Sequence, residues 1–247
     1  MGTPGILRVD VSEATMKKIA VVCCADKLPG SLMETFGSEG QHWDKLMPDI
    51  DGFVAAARGY DGYVISGSPK SVNDDRATPM VRNVIALIRD VYANSIAPIL
   101  GICFGSQAIA TALGGRVGLN PSGHFKLGVD ELIWAGGVDR ASSPETLRPS
   151  TVIQSHGECV LELPSHSKLL ASSSTTQHEI FLVSNRFLGV QGHPEVDNTD
   201  LQEIFMPYHR TMFDAERWQV VERESKRPIE PGAVIELGRR LLADGYL

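Results

Sequence analysis

An α/β fold with a mostly parallel central sheet is predicted by three features of the chain. Short apolar runs alternate with stretches of helical spacing as far as Leu113, the strand–helix order that builds a parallel sheet covered on both faces. The strand candidates there are near-continuous apolar runs, as expected of strands buried on both sides. Beyond them the texture changes to a series of short strand-like runs, which predicts antiparallel additions beside the parallel core. One domain over residues 1–247 is expected, with a core at about 18–213 and a C-terminal extension at about 214–247.

Lys18 to Cys24 (KIAVVCC) follows a polar lead-in and reads as the first buried strand. Leu32 to Leu46 has helical character interrupted by Gly37 and Gly40, and Ile50 to Arg58 reads as a second, short helix. Gly62 to Ser66 is the second strand and ends in the turn Gly67-Ser68-Pro69. From Pro79 to Tyr92 the apolar residues Val81, Val84, Ile85, Leu87, Ile88 and Val91 follow a helical period. Pro98 to Ile102 is the third strand. Ser106 to Leu113 is the helix after it, stopped by Gly114-Gly115. Four strand-like runs follow, Phe125 to Trp134, Thr151 to Gln154, Glu158 to Leu161 and Glu179 to Val190. Two amphipathic segments close the chain, Leu201 to Phe213, with a kink or break expected at Pro207, and Ala233 to Leu242. The charged stretch Asp214 to Pro231 between them reads as a surface excursion.

Composition narrows the partners. A formal charge of −7 with dispersed basic residues argues against nucleic acid, whose binding rests on clustered Lys and Arg. No apolar stretch reaches the ~20 residues that span a bilayer, so no membrane partner is expected. Residues 1–15 lack the basic start and apolar core of a secretory signal, so cytosol is the default compartment. Cys23, Cys24, Cys103 and Cys159 show neither zinc spacing nor a disulfide framework, which suits a reducing environment. The seven histidines are dispersed and HExxH is absent, so no metal is expected. Neither GxGxxG nor GxxxxGK[ST] occurs, so no nucleotide cofactor site is expected either.

The stretch Gly101-Ile102-Cys103-Phe104-Gly105-Ser106-Gln107 carries the chemistry. A buried strand runs straight into a small-residue helix, with cysteine at the junction and glycine two residues to either side. This is the form of a nucleophile elbow. The helix N-terminus favours thiolate over thiol, and the Phe104 N–H is placed to hold a developing oxyanion. Alone, the pattern fits a small buried cysteine better than a catalytic one. A second motif, Gly192-His193-Pro194-Glu195, follows an apolar run and sets an imidazole and a carboxylate two residues apart. His193 could move the thiol proton, and Glu195 could hold the ring in one tautomer. Alone, GHPE reads as a surface turn; with the elbow it reads as base and orienter.

Taken in order, GICFGSQ and GHPE, with cysteine and histidine 90 positions apart (193 − 103), resemble the class I glutamine amidotransferase family and its Cys-His-Glu triad. Within it the chain is similar to stand-alone, GMP-synthetase-like members that include the plant γ-glutamyl peptidases. Gly40 to Asp44 (GQHWD), Gly62 to Pro69 (GYVISGSP) and Ser71 to Asp75 (SVNDD) carry that closer likeness. The resemblance implies a flavodoxin-like three-layer sandwich, with Cys103 as nucleophile, His193 as base and acid, and Glu195 as orienter. It implies an oxyanion hole from the backbone at Ser68 and Phe104. Gly67, Gln107, Ser155, His156 and Gly157 would contact the glutamyl amino-acid end, the Ser-His-Gly loop through its backbone. Ser68, where many relatives have glycine, and Ser106, where many have histidine or methionine, depart from the pattern without removing a triad member.

Function then follows as hydrolysis of a γ-glutamyl amide, in glutamine or a small γ-glutamyl peptide, through a thioester. The alternative is a glutaminase subunit that feeds ammonia to a separate synthetase such as a GMP synthetase. The roughly 50 residues after Glu195 are too few for a synthetase domain of their own. A non-catalytic binding module on the same scaffold is the reading from outside enzymes.

Overall fold

The computed structural model describes residues 17–25, 30–36, 41–42, 50–136 and 150–247. Its main sheet has nine strands in the order β2-β1-β3-β4-β11-β10-β9-β6-β7. The first five of these pair in parallel: β2 (Gln41–His42), β1 (Ile19–Val22), β3 (Gly62–Ile65), β4 (Ile99–Ile102) and β11 (Phe187–Val190). From β11 onward every pairing is antiparallel, through β10 (Ile180–Val183), β9 (Ser167–Ser172), β6 (Lys126–Trp134) and β7 (Ser150–His156). The sheet is therefore mixed, a parallel half continued by an antiparallel half. A two-stranded ribbon, β5 (Arg116–Leu119) with β8 (Glu158–Glu162), lies apart from it.

Side-chain alternation sorts the parallel strands into two faces. Ala20, Val22, Tyr63, Ile65, Ile99 and Phe187 join one apolar cluster with α2 (Ile50–Ala57), α3 (Pro79–Asn94) and α4 (Phe104–Ala112). Ile19, Val21, Val64, Leu100, Ile102, Leu188 and Val190 join the other, against Leu32 and Phe36 of α1 (Gly30–Phe36) and Val234, Leu241 and Leu242 of the last helix. Pro79 opens α3 at a position where its missing N–H costs nothing. The three layers expected of the fold are present.

Three sequence expectations are corrected and a fourth is refined. Of the helix expected over 32–46, residues 32–36 lie in α1, whereas Gln41-His42 pairs with β1 as a strand. GQHWD lies outside the described residues except for those two positions. The single run expected from Glu179 to Val190 is a hairpin, turned at Ser184 and Asn185, which both hold positive φ (49° and 60°). The break expected at Pro207 falls just before it, where a π-helical stretch, Leu201–Phe205, gives way to an α-helical turn, Met206–His209, that holds Pro207 near its start. The excursion expected over 214–231 contains α5 (Ala215–Glu224), capped by the Asp214 carboxylate on the Arg217 N–H at 2.8 Å. Val221 from α5 packs with Leu127, Val129 and Ile153, so one turn of apolar spacing outweighs the charge around it. The last helix, α6 (Gly232–Asp244), ends at Gly245 in the left-handed conformation. Among the described residues no helix is long and apolar enough to cross a membrane.

Candidate active site

Three strand ends on one edge of the parallel half supply the site, the place where sheets of this kind bind their ligands. Gly67 follows β3, Cys103 follows β4 and His193 follows β11. Cys103 sits between β4 and α4 at φ 50° and ψ −104°, a left-handed conformation costly for any residue with a Cβ. Its N–H is tied to the Val190 carbonyl at 2.8 Å, and its carbonyl accepts from Ser106 Oγ at 2.8 Å. The flanking glycines have a steric reason. A Cβ on Gly101 would lie 2.5 Å from the Gly105 backbone, and one on Gly105 would lie 2.3 Å from the Ile65 carbonyl oxygen. Backbone cannot yield as a side chain can. Gly105→Ala should therefore cost about 1–3 kcal/mol through forced strand–helix separation. In a thermal melt that corresponds to a fall in Tm of about 3–10 °C.

His193 is 6% exposed and Glu195 7%, and His193 Nδ1 lies 2.8 Å from Glu195 Oε1. The other side of the imidazole faces Cys103, close enough for the sulfur to favour its charged form. Gly67 lies against both: a Cβ there would stand 2.9 Å from His193 Cε1, 3.7 Å from His193 Nε2 and 3.7 Å from Cys103 Cβ. Burial works against a charged imidazole, but the Glu195 carboxylate and the Cys103 sulfur together outweigh it and lift His193 to about 10. The His193 backbone is itself pinned, its N–H donating to the Ile153 carbonyl at 2.7 Å. Cys103, His193 and Glu195 are thus brought together in that order, with Gly67 beside them.

The remaining residues expected at the site fall nearby in different ways. Phe104 is the first residue of α4, directly after the elbow. Ser68 follows Gly67, and its hydroxyl accepts from the Lys70 N–H at 3.1 Å. The Ser155 carbonyl lies 3.8 Å from Cys103 Sγ. Gly157 follows at the β7–β8 turn, where its carbonyl accepts from the Asn120 N–H at 2.9 Å. Two side chains turn inward. Gln107 Nε2 donates to the Glu158 carbonyl at 2.8 Å and lies 3.3 Å from Gln191 Oε1. His156 is 3% exposed, and burial lowers it to about 4 against the opposing pull of the Glu158 carbonyl.

Three further residues at the site escaped the sequence reading. Gln191 is fully buried and directs Nε2 at Cys103 Sγ from 3.7 Å. Its place two residues before His193 on a strand-like run is the signal that pointed there. The Phe205 ring packs edge-on against His193 at 5.4 Å. His209 Nε2 lies 3.1 Å from Ser155 Oγ, and its ring lies 4.6 Å from that of Phe125. Phe205 and His209 come from the helical segment after Glu195, and nothing local in the sequence aims them inward.

Residues 38–206 match the family described as glutamine amidotransferase class-I. Over 181 residues the chain is 34% identical to γ-glutamyl peptidase 3 of Arabidopsis thaliana, 70% of each chain being covered. It is 33% identical to γ-glutamyl peptidase 2 of the same plant over 207 residues, 81% of this chain and 80% of that one. A GMP synthase of Cytophaga hutchinsonii is 33% identical over 153 residues, 62% of this chain but 27% of the synthase. Among solved structures, a glutamine amidotransferase from Thermotoga maritima superposes with a TM-score of 0.66 at 18% identity, covering 93% of this chain and 98% of that one. With a strand–cysteine–helix elbow, a histidine–glutamate pair facing it and a matching profile over more than half its length, the chain belongs to the class I glutamine amidotransferase family.

Proposed function

We propose that this protein hydrolyses γ-glutamyl amide bonds with Cys103 as nucleophile, His193 as acid and base, and Glu195 as orienter. The observation that carries the reading is the buried imidazole between sulfur and carboxylate, held by Glu195 at 2.8 Å on Nδ1. The sulfur attacks the γ-carbonyl as thiolate, its proton residing on His193. The C–S bond forms as the carbonyl π electrons move to oxygen, which the N–H groups of Phe104 and Ser68 stabilise. Collapse breaks the C–N bond, and His193 delivers the proton to the departing nitrogen. Water, giving a proton back to His193, then attacks the γ-glutamyl thioester and releases glutamate and the thiolate. Gly67, Gln107 and the backbone of Ser155, His156 and Gly157 hold the glutamyl amino-acid end.

The two Arabidopsis peptidases support a small γ-glutamyl peptide as substrate. The likeness to part of a GMP synthase favours a second reading, in which glutamine is cut and ammonia passes to a separate synthetase. Assaying the lone chain on glutamine and on γ-glutamyl dipeptides separates them: comparable or faster peptide turnover supports the first, glutamine turnover that appears only with an added synthetase the second. A diazo-ketone analogue of glutamine should label Cys103 alone. Cys24 is raised by burial and by Cys23 beside it, and Cys159 is pushed up to about 11 by burial and by Glu179. A mass spectrum with the label on Cys23, Cys24 or Cys159 would remove the proposal, and no label at all would favour the binding module.

A further inference from the structure

Behind the site runs a buried polar chain whose inner members, Gln154 and Glu179, have no part in the proposed reaction. Gln154 and Glu179 are fully buried. Gln154 Nε2 lies 3.1 Å from Glu179 Oε1, and Gln154 Oε1 lies 3.0 Å from His156 Nε2. His156 Nδ1 is 3.0 Å from the Glu158 carbonyl oxygen, which also accepts from Gln107 Nε2 at 2.8 Å. Gln107 in turn meets Gln191, and Gln191 reaches Cys103 Sγ. At the far end Ser173 Oγ donates to Glu179 Oε1 at 2.8 Å, while Glu179 Oε2 is buried without a hydrogen-bond partner.

Counting donors restricts where the hydrogens are. The Glu158 carbonyl only accepts, so His156 Nδ1 must carry a hydrogen. If the ring is neutral, Nε2 is a bare lone pair and has to face the NH2 of Gln154. The two ends of an amide have the same shape, so its orientation is set by the network around it. That orientation turns the Gln154 oxygen toward Glu179 Oε1. Two acceptors then meet unless the carboxyl is protonated. The opposite orientation, with NH2 toward a carboxylate, requires a doubly protonated imidazolium at His156. Both arrangements hold one proton shared between Glu179 and His156. The second leaves two ions in a dry interior, one of them a carboxylate with an unpartnered oxygen, and buried charges in that condition are heavily penalised.

We propose that Glu179 is a positioning residue kept as the carboxylic acid, donating to Gln154 and so fixing His156 as the neutral Nδ1–H tautomer that holds the Glu158 carbonyl beside Gln107. The inference rests on Cys103 being the nucleophile only in its link to catalysis. Burial lifts Glu179 to about 7 and lowers His156 to about 4, the same direction as the donor count. The charged and titratable neighbours are few. Asp130 and Cys159 face Glu179, and the negative charge of Asp130 opposes its ionisation. Lys126 and His193 face His156 and oppose its protonation, whereas Asp130 favours it. Lys126 is itself paired with Glu224 at 3.3 Å. His178, next to Glu179 in sequence, is bound through Nδ1 to the Val160 carbonyl. As pH rises through about 7, a Glu179 carboxylate forms and draws the Gln154 NH2 to itself. The Gln154 oxygen then faces the bare Nε2 of His156, and that bond is lost.

The test uses the full chain with 15N-labelled histidine and follows the His156 ring nitrogens by NMR from pH 5.5 to 9, a His156→Gln sample assigning the signals. Wild type should show a protonated Nδ1 and bare Nε2 at pH 6, with both shifts changing around pH 7. In Glu179→Gln, whose NH2 replaces the acid proton, the pH 6 pattern should persist to pH 9. In parallel, wild-type kcat/KM should fall about fivefold to tenfold from pH 6 to 8.5, the scale of one lost buried hydrogen bond. Glu179→Gln should lack that fall, and Glu179→Leu should be reduced at every pH. An imidazolium at His156 in wild type at pH 6–8, or identical titration in Glu179→Gln, would overturn the inference. If Glu179→Gln does not fold, the wild-type ring shifts decide alone. Failure of the diazo-ketone to label Cys103, with the His156 pattern as described, would instead indict the nucleophile and leave the relay standing.

Discussion

Cys103→Ala should lose turnover of γ-glutamyl substrates by a factor on the order of 10⁶, the scale seen when a covalent nucleophile is deleted. The fold should survive, and the reason is local. Alanine keeps the Cβ, so the left-handed backbone at φ 50° is no more strained than with cysteine. Among the described residues the sulfur's hydrogen-bonding contacts are long, 3.8 Å to the Ser155 carbonyl and 3.7 Å to Gln191 Nε2. Removing them deletes no short hydrogen bond, and the elbow's own ties run through backbone atoms and Ser106. A thermal melt within about 4 °C of wild type, roughly 1 kcal/mol for a chain this long, should accompany the lost activity. Turnover within tenfold of wild type in a sample free of contaminating enzyme would mean that the reaction proceeds without the sulfur.

The elbow could be read from sequence because its requirement is steric and local. Two glycines are needed wherever a strand and a helix close to contact around one side chain, and both lie within two residues of Cys103. GHPE was legible for a similar reason, since His193 and Glu195 lie two residues apart and meet across one local turn. What escaped notice depends on partners far along the chain. Phe205 meets His193 from the end of a π-helical stretch, and no residue pattern announces that change of pitch. Ser167–Ser172 pairs as β9 although just Leu170 and Ala171 of its residues are buried, so the pairing depends on strands either side. Glu179 stood in the sequence only as the first residue of a strand-like run. Its burial is set by Gln154, 25 positions away, and by the hairpin that lays its carbonyl on the Gln191 N–H.

Glu195→Gln should lower kcat about 10³- to 10⁴-fold, as expected when the third member of a triad holds the wrong tautomer. The acceptor at His193 Nδ1 is Oε1 at 2.8 Å, while Oε2 is buried and unpartnered. An amide has two ways to sit there, and each carries a penalty. With NH2 toward Nδ1 it can bond only to the bare nitrogen, which moves the imidazole proton to the Cys103 side and leaves nothing to accept the thiol proton. With oxygen toward Nδ1 the tautomer is kept, but two N–H groups are buried where Oε2 had no partner, at about 1–3 kcal/mol. In both cases the negative charge is gone. Burial then dominates at His193, and its charged form, stable to about pH 10 in the native site, is no longer held at neutral pH. Alkylation of Cys103 at pH 7 should slow together with kcat, because both draw on the same thiolate. KM should move by less than about threefold, since Glu195 bonds to His193 and the loss then falls on the transition state alone. A variant with kcat near wild type, or one that loses KM and keeps kcat, would place the carboxylate outside the proton path and reduce the pair to a structural contact.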